Sequence, residues 1–179
     1  MAALEPTIGQ VARAPQRPDA HTLSLYVNNK PGVLVRVALV FSRRGYNIES
    51  LVVSPATRGD FSRMTITCSG DPETLEQIIK QLAKLIDVVH AIDHTGDDSY
   101  ETEIALVKIE CNAEERGPVF QIAEHYKAKV ADFGPDSLIL QVHGSSEKID
   151  AFTELLRPFK ILELVRSGKL LMARGRRTT

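Results

Sequence analysis

Asn28-Asn29-Lys30-Pro31-Gly32-Val33-Leu34 separates two kinds of hydrophobic pattern. Before it, Thr22-Leu23-Ser24-Leu25-Tyr26-Val27 alternates with a period of two, as a half-buried strand does. After it, the chain from Val33 to about Arg44 has the apolar density of a helix. A strand that turns through Pro-Gly into a helix leaves the first N–H groups of that helix without intrahelical partners. With the positive end of the helix dipole, those donors suit a carboxylate or a phosphate. Gly32 has no Cβ, so a ligand can come close to the backbone there. An ordinary strand-to-helix turn has the same composition, and the rest of the chain decides between the two readings.

The helix after the turn carries Val33, Leu34, Val35, Val37, Ala38, Leu39, Val40 and Phe41, interrupted by Arg36. A helix that is apolar nearly all round is buried on more than one side. In a small domain with one sheet, the second buried side implies contact with another chain. Gly45 then closes the helix as a C-terminal cap. Ile48 to Ser54 and Phe61 to Cys68 read as strands, joined by the loop Pro55 to Asp60. Asp71-Pro72 opens a second helix, with Asp as N-cap and Pro at the first helical position. Leu75, Ile78, Ile79, Leu82 and Leu85 follow helical spacing, and Ile86 to Ile92 reads as a fourth strand. The order is β-α-β-β-α-β, the ferredoxin-like arrangement.

Asp93-His94-Thr95-Gly96-Asp97-Asp98-Ser99 is polar and helix-breaking. Asp93, His94, Asp97 and Asp98 are metal-ligand types, but a flexible connection fixes coordination geometry poorly, and a solvated linker is the better reading. The order then repeats. Glu103 to Cys111 reads as a strand, and a helix lies between Ala113 and Tyr126, its start obscured by Gly117-Pro118. Lys129 to Phe133 and Ser137 to His143 read as strands around a Gly134-Pro135-Asp136 turn. Ser145 or Ser146 caps a helix carrying Ile149, Phe152, Leu155 and Leu156; Pro158 stops it, and Ile161 to Val165 is the last strand. The fold class expected is α+β, with two ferredoxin-like βαββαβ domains over residues 21–94 and 102–173. Residues 95–101 form the linker, 1–20 a disordered tail with three prolines, and 174–179 a basic, solvated end.

The 179 residues suffice for two small domains. A net charge of -1 makes no electrostatic case for nucleic acid or an anionic membrane. No apolar run approaches a membrane span, and residues 1–20 lack the apolar core of a secretory signal. Cys68 and Cys111 sit in apolar runs and read as buried thiols of a reducing, cytoplasmic compartment.

Several runs together resemble a known family. Asn28 to Leu34 is similar to the turn of an ACT domain, a small-molecule-binding module of amino-acid metabolism. Phe41-Ser-Arg-Arg-Gly-Tyr-Asn-Ile-Glu-Ser-Leu51 and Ser62-Arg-Met-Thr-Ile66 resemble the regulatory, small subunit of acetolactate synthase. So do Leu75-Glu-Gln-Ile78, Gln81-Leu82, Lys84-Leu85, Leu106-Val-Lys-Ile109, Ala151-Phe152 and Val165-Arg-Ser-Gly168. The resemblance spans about residues 21–175. It implies that the first domain is an ACT domain and the second another ferredoxin-like domain. It also implies a homodimer formed through the ACT domains, with valine or another branched-chain amino acid bound between them. The chain would activate a separate catalytic subunit and make it sensitive to feedback inhibition. Thiamine diphosphate, Mg²⁺ and FAD are then expected on that partner and no cofactor on this chain.

The site implied is made of Asn29, Gly32, Val33 and Leu34 from one subunit, with Asn47 and Ile48 from its neighbour. The N–H groups of Gly32, Val33 and Leu34 suit the amino acid's carboxylate. The Asn29 amide can accept from the ammonium and donate to the carboxylate, and Leu34 forms an apolar wall. Asn47 would bond the polar end and Ile48 pack on the side chain. Asn47 also suits the turn after Gly45, and Ile48 suits any core strand.

Other readings have less behind them. The histidines are scattered, and the sequence offers no Ser/His/Asp grouping, metal-ligand cluster or phosphate-binding loop, so no catalytic residue is assigned. RNA-recognition domains share the element order, but they stack bases on sheet aromatics, and Ser62 to Cys68 contains none. A stand-alone amino-acid-sensing ACT protein that regulates a different enzyme is the nearer alternative; the match in the second domain argues against it.

Overall fold

The computed structural model describes residues 20–176 and 178–179. The expected disordered tail lies outside them, except for Ala20. Strand β1 (Ala20–Asn28) enters helix α1 (Val33–Arg43) through the Pro-Gly turn, followed by β2 (Asn47–Pro55), β3 (Phe61–Ser69), α2 (Pro72–Leu82) and β4 (Val88–Asp93). The four strands form an antiparallel sheet in the order β2-β3-β1-β4. Leu23, Leu25 and Val27 of β1 and Met64, Ile66 and Cys68 of β3 point to one face. There they bury Val33, Val37 and Phe41 of α1 and Leu75, Ile78 and Leu82 of α2.

The helix ends follow local chemistry. The Asp71 carboxylate accepts from Thr74 N at 2.7 Å, so α2 starts where the sequence places it. Gly45 takes φ +69°, and Tyr46 N donates back to Phe41 O at 3.1 Å, ending α1 with a left-handed residue. Ile86, expected as the first residue of the fourth strand, is instead 93 % exposed. The chain there turns, with Val88 N on Leu85 O, and Asp87 O accepts from Asn28 N. The backbone bonds outranked the run of apolar residues.

The second unit comprises β5 (Ser99–Glu110), α3 (Arg116–His125), β6 (Lys129–Phe133), β7 (Ser137–Gly144), α4 (Ser146–Leu155), β8 (Ile161–Arg166) and β9 (Leu170–Ala173). Its sheet repeats the first order, β6-β7-β5-β8, with β9 added beside β5. Gly117-Pro118 opens α3 rather than interrupting it. Pro118 lies in the first turn, where no N–H is needed, and Asn112 Oδ1 accepts from Glu114 N and Glu115 N just ahead of it.

Strand β9 is not evident in the sequence pattern. Ser167-Gly168-Lys169 is a bulge: β8 pairs with Ala105–Ile109 and β9 continues along Ser99–Thr102 of the same strand. The bulge also joins the two units. A Cβ on Gly168 would lie 3.0 Å from Ser50 Cβ of β2, and Lys169 Nζ lies 3.4 Å from Thr22 Oγ1. The second unit thus covers part of the open face of the first sheet, which explains why Thr22 and Ser24 are each only 5 % exposed.

The connection between the units is less solvated than its composition suggests. His94 is 5 % exposed, its N donates to Thr22 O, and its Nε2 lies 2.7 Å from Ser24 Oγ. The basic end also folds back. Arg174 pairs with Asp98 at 2.9 Å, and Thr179 is buried with its carbonyl on the Arg63 guanidinium.

Candidate functional site

Gly32 is the N-cap of α1 at φ +84°, ψ −9°. This is the left-handed region, which glycine enters without steric cost. No side chain caps this helix start, and its first turn contains no acidic residue. Val33 N donates to Lys30 O only at 3.4 Å. The turn therefore presents backbone donors and a positive dipole end, with no carboxylate of its own to answer them.

Each predicted residue has a defined place. The Val33 side chain is 3 % exposed and belongs to the core, so only its backbone faces the turn. Leu34 is 42 % exposed and free to form a wall. Asn29 is exposed, but its Nδ2 donates to Gly59 O at 3.3 Å and its N donates to Asp60 O at 2.8 Å. The loop before β3 thus engages one amide donor and fixes the side chain. Asn47 is exposed at the start of β2, and Ile48 is half-buried against the first core.

The two groups do not meet within one chain. Asn29 to Leu34 lie at the N-terminal end of α1, and Asn47 and Ile48 follow its C-terminal end. Eleven residues at about 1.5 Å rise separate those ends by roughly 16 Å. The outer surface here is apolar: Leu34, Val35 and Leu39 of α1 are 42 %, 62 % and 45 % exposed, and Val53 of the edge strand β2 is 44 % exposed. The all-round apolar pattern of α1 is thus half accounted for within the chain, by Val33, Val37 and Phe41.

Arg36 belongs at this site, although sequence reasoning passed over it as an interruption. Its Nη2 pairs with Asp87 Oδ2 at 2.5 Å, while its Nη1 lies 3.3 Å from where a Cβ on Gly32 would stand. The signal was an arginine within the apolar run Val33–Phe41, one turn after the glycine.

Two further groupings bear on the rival readings. Ser24 Oγ, His94 Nε2 and, 3.3 Å from His94 Nδ1, Asp97 Oδ2 form a Ser/His/Asp cluster that sequence spacing did not reveal. Ser24 sits mid-strand between its ladder partners Thr65 and Ile92. Among the described residues no turn or helix start beside it supplies donors to a developing oxyanion, and the cluster fastens the connection to β1. Aromatics also occur on the open face of the first sheet, because β3 begins at Phe61. Tyr26 stacks on Phe61 at 4.9 Å and on His90 at 5.3 Å. Since β3 and β4 flank β1, both faces of the Tyr26 ring are covered by its neighbours.

Known proteins resemble the chain over both units. Residues 23–90 match the family described as AHAS small subunit-like ACT domain, and residues 102–175 match the family described as small subunit of acetolactate synthase. A probable acetolactate synthase small subunit of Archaeoglobus fulgidus is 44% identical over 155 residues, 87% of this chain and 97% of that one. The acetolactate synthase small subunit of Mycolicibacterium smegmatis is 43% identical over 157 residues, 88% of this chain and 92% of that one. Among solved structures, the acetolactate synthase small subunit of Thermotoga maritima superposes with a TM-score of 0.79 at 35% identity, covering 88% of this chain and 98% of that one.

Proposed function

Because the chain belongs to the acetolactate synthase small-subunit family, we propose that it activates the catalytic subunit of that enzyme and makes it sensitive to valine. The observation that carries the effector half of this reading is the division of the site. The uncapped turn at Gly32 and the Asn47-Ile48 pair lie at opposite ends of α1, whose outer side is apolar and exposed. Two copies associated through α1 and β2 would complete two sites. Valine would place its carboxylate on the backbone donors at Gly32 and Leu34, and its side chain against Leu34 of one copy and Ile48 of the other.

Binding between two copies gives the ligand mechanical leverage. It favours whichever arrangement of the dimer closes both halves of the pocket, and its effect on the partner is limited by its differential affinity for the two arrangements. Couplings of about 1–3 kcal/mol are usual. Thiamine diphosphate, Mg²⁺ and FAD belong, on this reading, to the catalytic partner in the cytoplasm; this chain's residues bind the effector and no reacting group.

Mixing the purified chain with the catalytic subunit tests the proposal. The chain alone is expected to leave pyruvate unchanged, to raise the partner's turnover when added, and to make that turnover fall as valine is titrated in. Pyruvate consumption by the pure chain, or a partner whose rate the chain does not alter, would defeat the proposal.

A further inference from the structure

Resting on the effector site proposed above, we infer that Arg36 is a specificity-determining residue of that site: its guanidinium, aimed by Asp87, recognises the carboxylate of the amino-acid effector. An apolar helix tolerates an arginine at its surface when the charge has work nearby or water around it. Here the charge is turned back over the helix start. Asp87, whose side chain is 12 % exposed, takes Nη2 at 2.5 Å. Asp87 is itself fixed, because its carbonyl accepts the N–H of Asn28 at the end of β1. The guanidinium is planar, so anchoring one nitrogen orients the others. Nη1 is left facing the turn, 3.3 Å from the position of a Gly32 Cβ.

The placement has a chemical meaning. A carboxylate received by the backbone donors at Gly32 would come within reach of Nη1 as well. A charged donor forms the stronger, more directional bond to a carboxylate. Backbone N–H groups and a helix dipole accept many polar ligands, whereas the arginine adds a requirement for negative charge. The side chain is 45 % exposed and so remains available to a ligand arriving from solvent or from between two copies. Asp87 offsets part of the guanidinium charge, which lets the cation stay beside a positive helix end.

The experiment compares L-valine with L-valinamide, which keeps the ammonium and the side chain but lacks the carboxylate. Calorimetric titration of the full chain is expected to show valine bound at least tenfold more tightly than valinamide. In Arg36→Gln, valine affinity should fall about ten- to a hundredfold, the scale of one charged hydrogen bond, while valinamide affinity stays within twofold. A purely structural role would weaken both ligands alike. Arg36→Lys, which retains charge without the fork, should give an intermediate preference and carries the same comparison if Arg36→Gln does not fold. Wild type that binds valine while Arg36→Gln keeps the full preference over valinamide overturns the assignment of Arg36 alone. Wild type that binds no branched-chain amino acid overturns the effector reading and this inference with it.

Discussion

Gly32 holds φ +84° one residue ahead of a helix start that has no side-chain cap. Any L-residue there costs about 1–2 kcal/mol in backbone strain, and its Cβ would stand 3.3 Å from Arg36 Nη1. At the proposed site, Gly32→Asp adds a negative group where the effector's own carboxylate would lie. Unit charges about 4 Å apart repel by roughly 4 kcal/mol at an effective dielectric near 20, before solvent screening. The new carboxylate also draws on Arg36. Feedback by valine should therefore be lost in Gly32→Asp, with activation of the partner retained, and Gly32→Ala should shift the valine response less. Valine titrations of the reconstituted enzyme decide this; normal inhibition of Gly32→Asp would place the effector elsewhere. A second residue-scale expectation concerns Cys68. Burial, and then the charges of Asp93 and Glu49, push its thiol up to about 12. A proton held in the folded state but released in the unfolded one favours folding below the unfolded pKa of about 8.5, and that contribution fades as pH rises from there towards 12. Native chain should thus resist thiol reagents at pH 8 and lose stability in alkali, whereas a Cys68→Ser chain should show a shallower alkaline decline. The glycine was legible because Pro-Gly after a strand has few other uses. The tether of Asn29 to Gly59 was not, since it joins residues thirty apart in sequence.

Helix α1 illustrates what hydrophobic period can and cannot tell. Its density of apolar residues exceeds what one sheet can cover, and the fold buries only Val33, Val37 and Phe41 fully. Of the rest, Ala38 and Val40 are half-buried, and Leu34, Val35 and Leu39 stay exposed. Covering the exposed half of each such side chain yields about 0.7–1.5 kcal/mol, enough to favour association when several are covered together. Leu39→Glu should consequently sediment as a smaller species at micromolar concentration than the wild type, with unchanged far-ultraviolet circular dichroism. Equal sedimentation would mean that this face is not the interface. Elements fixed by their own ends, such as α2 behind Asp71-Pro72, were legible within a residue. Elements defined by distant pairing were less so: β9 exists because Ser99–Thr102 offers it an edge, and nothing in Leu170–Ala173 alone announces that.

The two sheets have the same strand order, and one backbone position stands at the tightest point of the junction between them. Gly168 takes φ +81° against Ser50 and Val52 of β2, the strand that begins with Asn47. A methyl group there meets Ser50 Cβ and Oγ at 3.0 Å, closer than such atoms ordinarily come. Gly168→Ala should loosen the packing of the units, read as faster proteolysis within residues 94–98 and a larger radius of gyration. Ser50→Gly in the same chain should recover part of the loss by giving the methyl room. Unaltered cleavage and dimensions in Gly168→Ala would show that the contact does not set the arrangement. Two ferredoxin-like units were legible from element order alone. Their mutual packing was not, because it arises from a bulge and from polar residues, Thr22, Ser24 and His94, whose burial no periodicity reports.

Among the described residues, one edge of β5 is covered by β8 and β9 alone, and this matters while the polypeptide is being made. Translation delivers the first unit complete through β4, then β5, and only much later the segments that shield it. At elongation rates of about 5–20 residues per second, the nascent chain carries a bare twelve-residue edge for several seconds. Such an edge invites pairing with neighbouring nascent chains. A stop codon or a stalled ribosome anywhere between α4 and Ile161 would make that interval permanent, leaving a product with a finished first half and a second half disposed to precipitate.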